Sequence, residues 1–472
     1  MTKNQILYPL LLAILFGSCS FAPEYRKPAA PIPDKWPSGP AYNNIKADEA
    51  APFAKELMWQ EFITDRHMQE VIKTAIAYNR DMRIASLNVQ RARALYGVQK
   101  AELWPQVSAV GLGVKERMPA DLSPTGTSIT AEQYSVDVGI TSWELDFFGR
   151  IRNLKKRALE EYLATDAARR SAEILLITST ATAYLSLAAD HENLNLARFT
   201  LEAQKTSYDL IRKRFNVGLA SELDLRRAQS QVDAAKGDVA LYTQLTAQDE
   251  NALRLLIGQS LPSRLLPANL SSVIPPREIS AGLSSELLLR RPDVIAAEHR
   301  LKASHANIGA ARAAFFPRIT LTSAVGTAST DLSGLFNSGS GVWSFMPRIS
   351  IPIFDPRIGP AYEVTKVDKE IILAQYEDII QKAFREAADA LAIRGTVNER
   401  IRAQQDLVEA IEKTYRLSNA RYLKGIDSYL GVLDAQRSLY AAQEGLINLY
   451  LLRLINRVTL YQVLGGGDES SE

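Results

Sequence analysis

Two stretches of this 472-residue chain place charged side chains where they could act together. Arg214–Ala235 reads RFNVGLASELDLRRAQSQVDAA and Arg421–Ala442 reads RYLKGIDSYLGVLDAQRSLYAA. At an offset of 207 residues they agree at 8 of 22 positions, among them Gly218/Gly425, Ser221/Ser428, Leu223/Leu430 and Gln229/Gln436. In the second copy Leu430, Asp434 and Arg437 fall at i, i+4 and i+7, one stripe of a single helix. A carboxylate so placed attracts cations and accepts hydrogen bonds from a guanidinium, and a leucine beside it can narrow a passage. The aligned residues of the first copy are Leu223, Arg227 and Ser230, so the acid is present only in copy two. On an ordinary solvated helix the same Asp–Arg spacing is worth a few tenths of a kcal/mol.

All of this chemistry is non-covalent. There is no P-loop, no GxSxG elbow and no HExxH zinc motif, so no enzyme activity is expected. The single cysteine, Cys19, excludes a disulfide framework and a cysteine metal cluster. His67, His191, His299 and His305 lack metal-ligand spacing and read as surface or packing residues. No metal or other cofactor is expected. With 55 basic and 53 acidic residues, the net charge of +2 offers no basic surplus for nucleic acid.

The elements that must hold the stripe are long helices. Each tip has one grammar: a charged helix stops at a Gly, and the Ser three residues on can cap the next helix. From Ile151 to Val217 there is neither Gly nor Pro, enough for a helix of roughly 100 Å at 1.5 Å per residue. Leu187, Leu194, Leu201, Tyr208 and Phe215 recur every seven residues, a coiled-coil seam. The uncharged run 174–189 carries five Ser/Thr and reads as a packed helix core rather than a membrane span. A second long helix, about 361–424, repeats the heptad at Ile401, Val408, Tyr415 and Tyr422. Return helices follow at about 221–256 and 428–464.

Ahead of each long helix the period changes from helical to alternating. A helical run from about 57 to 103 ends at Trp104-Pro105, and strands are expected at about 106–115 and 134–145. In the latter Tyr134, Val136, Val138 and Ile140 point one way, and Ser135, Asp137, Gly139 and Thr141 the other. Residues 293–319 align with 81–107 at an offset of 212, and strands are expected again at about 318–327 and 342–354. Trp104, Trp143, Phe147, Phe148, Phe315, Phe316 and Phe354 cluster at the hairpin ends, as in the aromatic girdle of a membrane barrel. The chain is thus internally duplicated: residues 57–256 form the first repeat, 257–282 a proline-bearing linker and 283–464 the second repeat. Residues 465–472 (GGGDESSE) read as a flexible tail.

Four strands cannot close a barrel, and open edges are not tolerated in lipid. Membrane strands would therefore have to be pooled between chains. Eight strands would be filled by their own side chains, so a through-channel favours three chains or more. Around a threefold axis the stripe becomes rings of Leu430, Asp434 and Arg437.

Residues 1–18 read as a secretory leader, with Lys3 ahead of an apolar run. LFGSCS then resembles a bacterial lipobox with Phe16 where leucine is usual, which makes Cys19 the expected lipidation site. Several acyl chains anchor firmly, at about 0.8 kcal/mol per buried CH₂. Ser20 after the cysteine suggests sorting to the outer membrane. Residues 19–56 (FAPEYRKPAAPIPDKWP and on) read as a lipidated, extended N-terminal arm.

The lipobox with APEYRKPAAPIPDKW, the LLLRRPDVIAAE segment (Leu287–Glu298), the Gly-x-x-Ser tips and the LDAQRSL run together resemble the TolC/OprM family of outer-membrane efflux lipoproteins. The likeness spans essentially the whole mature chain. It implies a mainly α fold with a β-barrel part: a homotrimer with a twelve-stranded outer-membrane barrel and an α-helical periplasmic tunnel. It also implies a periplasmic adaptor and an inner-membrane pump of the resistance–nodulation–division type, with drugs or other small toxic compounds as cargo. Protein secretion or metal-ion efflux is the alternative within the family, and a surface coiled-coil adhesion protein the alternative outside it. The family's gating residues fall on the LxxLDAQR motif and on the tyrosine matching Tyr422. Its adaptor docks in grooves around the tip residues matching Gly218, Ser221, Gly425 and Ser428.

Overall fold

The computed structural model describes residues 21–42, 52–280 and 285–467. Cys19, with the lipidation expected on it, lies outside the described residues.

Helix starts follow local side-chain chemistry. Helix α1 (Arg66–Tyr78) begins at Asp65, whose Oδ1 accepts from the Met68 amide at 2.9 Å. Helix α2 (Arg80–Ala101) begins at Asn79, whose Oδ1 accepts from Met82 at 2.9 Å. The single helical run expected over 57–103 is therefore broken, because both side chains offer the backbone a cap in place of another helical turn.

Four strands follow in two hairpins: β1 (Val107–Met118) and β2 (Ile129–Glu144), then β3 (Arg318–Ser329) and β4 (Gly341–Ser350). They form one antiparallel sheet in the order β1-β2-β3-β4, which leaves one edge each of β1 and β4 unpaired within the chain. The register sets Val138 opposite Val325 and Val325 opposite Trp343, on the face shared with Val136, Ile140, Phe345 and Ile349. That face is open: Val325 is 64% exposed, Trp343 77% and Ile349 63%. The other face carries Ser135, Asp137, Gly139, Ala324, Gly326 and Ser344, with β1 contributing apolar Val110, Leu112 and Val114. A bulge between Ile140 and Trp143, with Ser142 at φ 53°, restores Trp143 to the apolar face.

The remaining helices are α3 (Arg150–Asn216), α4 (Glu222–Ile257), α5 (Pro292–Ala313), α6 (Ile358–Leu423) and α7 (Tyr429–Val463). Helices α3 and α6 run unbroken for 67 and 66 residues. Helix α3 holds a stretch long and apolar enough to cross a membrane, yet 56% of it is buried inside the protein. Thr178 hydrogen-bonds Gln462 there at 2.9 Å, as a packed helix core would.

The chain divides into two compact units. The first comprises residues up to Ala29, Asn88–Asp166 and Ala296–Tyr376, and it holds the whole sheet. Residues 21–29 lie on it in extended form: Phe21 stacks on Phe316 at 4.4 Å, and Arg312 donates to the Phe21 carbonyl at 3.2 Å. Lys27 pairs with Glu298 at 3.1 Å. A Cβ on Gly309 would sit 2.8 Å from the Ala22 Cα, so only glycine lets the segment lie this close. The expected aromatic cluster is split accordingly. Phe148 and Phe316 stack at 5.1 Å to seat this segment, and Phe315 meets Tyr362 edge-on, while Trp104 and Phe354 stay exposed.

The second unit comprises Ala30–Leu87, Ala167–Ile295 and the chain from Glu377 on. Its core stacks Phe62 on Tyr461 at 4.3 Å, and at its half-buried margin Trp36 stacks on Phe384 at 5.7 Å. Residues 465–467 belong to this core, not to a flexible tail. The Gly467 amide donates to the Tyr461 hydroxyl at 2.8 Å, and a Cβ there would strike the Leu57 carbonyl at 1.9 Å. Gly465 and Gly466 take left-handed φ values of 98° and 59°, and Gly467 closes a backbone contact that no side chain would permit, so their loop-like composition misleads.

Candidate functional site

Both helix–turn–helix tips lie in the second unit. At the first, Gly218 has φ +77°, its amide reaches the Phe215 carbonyl at 2.9 Å, and Leu219 N reaches Arg214 O at 2.8 Å. At the second, Gly425 has φ +73°, with Gly425 N to Tyr422 O at 2.9 Å and Ile426 N to Arg421 O at 3.0 Å. This is one helix-ending motif used twice, and the left-handed glycine makes it possible.

The serines differ. Ser221 Oγ accepts from the Asp224 amide at 3.1 Å and donates to Asp224 Oδ2 at 2.7 Å. Ser428 has the same extended backbone but makes no side-chain cap bond. The second turn is held instead by Arg421, whose Nη2 lies 3.1 Å from Asp427 Oδ1. Asp427 aligns with Ala220 of the first copy, so it is a second acid confined to copy two. Ser221→Ala is expected to cost about 1 kcal/mol at its helix end, a roughly fivefold loss of amide protection over residues 222–226 in hydrogen exchange. Ser428→Ala should leave residues 429–433 unchanged.

Leu430, Asp434 and Arg437 all lie exposed on α7, as one stripe requires. Among the described residues Asp434 has no ion-pair partner. Arg437 does not turn back to it: its Nε donates to Gln231 Oε1 on α4 at 3.0 Å. Tyr422 is not on the stripe. Only 8% exposed, it packs with Ile211, Ala228, Tyr429, Val432 and Leu433. The Arg214 guanidinium covers its ring at 4.9 Å, and among the described residues neither its hydroxyl nor that of Tyr429 has a hydrogen-bond partner. Burial pushes the Tyr422 phenol above its ordinary value, so the ring is neutral.

Arg214 and Gln231 thus join the tip residues of the second copy, tying α3 to α6 and α4 to α7. Sequence reasoning passed over both. Arg214 was visible only as the conserved partner of Arg421 in the duplication, and Gln231 carries no local signal at all.

Farther along α3 the helix docks on the linker. His191 Nδ1 lies 2.7 Å from the Pro267 carbonyl, and Glu192 accepts from the amides of Leu270 at 2.9 Å and Ser271 at 3.2 Å. Beside them Asp190 faces Asp249 of α4. Burial, then the charge and hydrogen bond of Asp249, push the Asp190 carboxyl from 3.8 up to about 6. Its ionised form is thus disfavoured in the fold. The cost is absent below the unfolded-state value and complete above the folded one, so stability rises as pH falls from about 6 toward 4. For a side chain this open the effect is discounted to about 1 kcal/mol. The unfolding midpoint should rise from pH 7 to pH 5, and Asp190→Asn should flatten that rise.

Comparison with known proteins matches residues 71–259 and 283–466 to the family model described as outer membrane efflux protein. The two matched segments correspond to the two repeats. The toluene efflux pump outer membrane protein TtgF of Pseudomonas putida is 47% identical over 97% of this chain and 96% of its own. The cation efflux system protein CusC of Escherichia coli is 38% identical over 98% of this chain and 99% of its own. Among solved structures, the open-state outer membrane channel MtrE of Neisseria gonorrhoeae superposes with a TM-score of 0.85 at 35% identity, over 95% of this chain and 98% of that one.

Proposed function

Since this chain belongs to the outer membrane efflux protein family, we propose that three copies form the outer-membrane duct of a tripartite efflux pump, gated near the start of α7. One observation carries the trimer. The four-stranded sheet has a lipid-compatible face and two unpaired edges, and an edge left open in hydrocarbon costs several kcal/mol per unsatisfied group. Three chains supply twelve strands, wide enough to leave a lumen for Ser135, Asp137 and Ser344 to line.

The lipid on Cys19 anchors the chain to the same membrane. The tips around Gly218, Ser221, Gly425 and Ser428 receive a periplasmic adaptor, which connects the duct to an inner-membrane pump of the resistance–nodulation–division type. Cargo is taken to be small toxic organic compounds, in keeping with the name of TtgF; the name of CusC makes cations the rival cargo.

The test is twofold. Cross-linking of the detergent-purified protein should stop at a trimer, and the protein should insert conducting pores in planar bilayers. Monomers, or dimers without conductance, would sink the duct. A strain lacking the gene should accumulate dyes, solvents and antibiotics. If the deletion sensitises cells to metal salts and to nothing organic, the cargo assignment is wrong.

A further inference from the structure

A cavity of about 580 Å³ opens in the second unit where α6 and α7 meet the linker. Its charged lining is Arg394, Arg402, Arg453 and Arg457 against Glu278 and Glu399, four positive groups and two negative. The arginines are poorly neutralised. Arg394 donates to the Ile279 carbonyl at 2.7 Å and Arg457 to the Pro276 carbonyl at 2.9 Å, both uncharged acceptors. Glu278 pairs with Arg457, the one ion pair these four arginines make among the described residues. Arg453 lies over the Tyr450 ring at 5.2 Å, and its Nε is shut off from water with no hydrogen-bond partner among the described residues. Arg402 is exposed and makes no ion pair among the described residues. Burial, together with repulsion from Arg453 and Arg394, holds the Arg457 guanidinium below its ordinary value despite Glu278.

Clustered like charges in a half-buried cavity destabilise the protein unless something of opposite charge is received there. Guanidinium forks match the oxygens of carboxylate and phosphate, and the surplus of two positive charges asks for an anion with several such oxygens. We propose that this cavity is a binding site for a phosphate-bearing anion, contacted by Arg402 and Arg453 and oriented by Arg457. Arg394, tied to the linker carbonyl, holds the wall in place. The site is separate from the gate and from the reading of the protein as a duct.

The experiment is calorimetric titration of the full-length detergent-purified protein with inorganic pyrophosphate at fixed ionic strength. Saturable binding is expected. Arg402→Gln and Arg453→Gln should each weaken it about tenfold or more, the change for loss of one charge-assisted hydrogen bond. Arg402 makes no internal ion pair, so its variant should fold normally, and Arg226→Gln at the distant tip serves as the unaffected control. A second arm uses phosphatidylglycerol vesicles. Vesicle binding that pyrophosphate displaces and Arg402→Gln abolishes would make the ligand a lipid headgroup; pyrophosphate binding alone would make it a free phosphate. No saturable binding, or binding equal in wild type and both variants, overturns the site, whether or not the protein conducts.

Discussion

In planar bilayers Asp434→Ala is expected to raise the open probability of the pore by about tenfold or more, against a wild type that is mostly closed. In a threefold assembly Asp434 recurs as a ring of exposed carboxylates, flanked by the Leu430 and Arg437 rings. Because Asp434 has no ion-pair partner among the described residues of its own chain, its partners in the closed state are proposed to come from neighbouring protomers. Losing only about 1.4 kcal/mol of closed-state preference is a tenfold shift, less than one charge-assisted hydrogen bond contributes. Unchanged conductance and open probability would remove Asp434 from the gate.

Tyr422 supplies an internal control for this reading. Its hydroxyl has no hydrogen-bond partner among the described residues, while its ring lies beneath Arg214 at 4.9 Å. Tyr422→Phe should therefore leave the open probability unchanged, whereas Tyr422→Ala should raise it by freeing Arg214 and loosening the tip core. If Tyr422→Phe opens the pore as far as Asp434→Ala does, the hydroxyl has a partner in the assembly and the ring is not the working part.

Arg291→Ala should be strongly destabilising, at about 2–3 kcal/mol. The side chain is buried, donates to Asp293 Oδ2 at 2.7 Å and Glu386 Oε2 at 2.9 Å, and also donates to the Val463 carbonyl at 3.1 Å. That last bond satisfies one of the orphan carbonyls at the end of α7, where positive charge also suits the helix dipole. Removing the guanidinium leaves the Val463 carbonyl without its donor and takes the countercharge from the part-exposed Asp293 and Glu386 carboxylates. A fall of the thermal midpoint in detergent by about 2–3 °C is expected. Arg290→Ala, one residue earlier and exposed, should shift it by less than about 1 °C. Equal effects from the two variants would mean that Arg291 is not the clasp.

Much of the fold was legible because it rests on period and on glycine. The alternation of Tyr134, Val136, Val138 and Ile140 is the alternation of the sheet itself, since side chains two apart share a face. The 67 residues of α3 begin and end within one residue of the expected stretch, because nothing between Ile151 and Val217 can stop a helix. Gly218 and Gly425 were readable as turns because only glycine takes a left-handed φ without cost.

What failed was whatever depends on a partner distant in sequence. Both Ser221 and Ser428 were capable of capping, yet only Ser221 does, since the second turn is closed by Arg421 and Asp427. Residues 465–467 read as loose because glycine-rich ends usually are; the Tyr461 hydroxyl, itself bonded to the Leu57 carbonyl some 400 residues earlier, is what holds them. Asp434 and Arg437 read as neighbours at i,i+3, but Gln231 takes the arginine.

The sequence alone determined the duplicated plan: two hairpins, two very long helices, two glycine-ended tips, and the acid that breaks the symmetry of the tips. These are local properties, set by side-chain period, backbone freedom and the order of residues in a single stretch. Only the tertiary structure decided which arginine of the Arg290–Arg291 pair is buried, which tip residues point into the core and which side chain Arg437 holds. It alone gathered four arginines from α6 and α7 around one cavity. Hydrogen bonds and charges act through space at about 3 Å, and a chain that returns on itself after some 200 residues brings together groups that no sequence window contains.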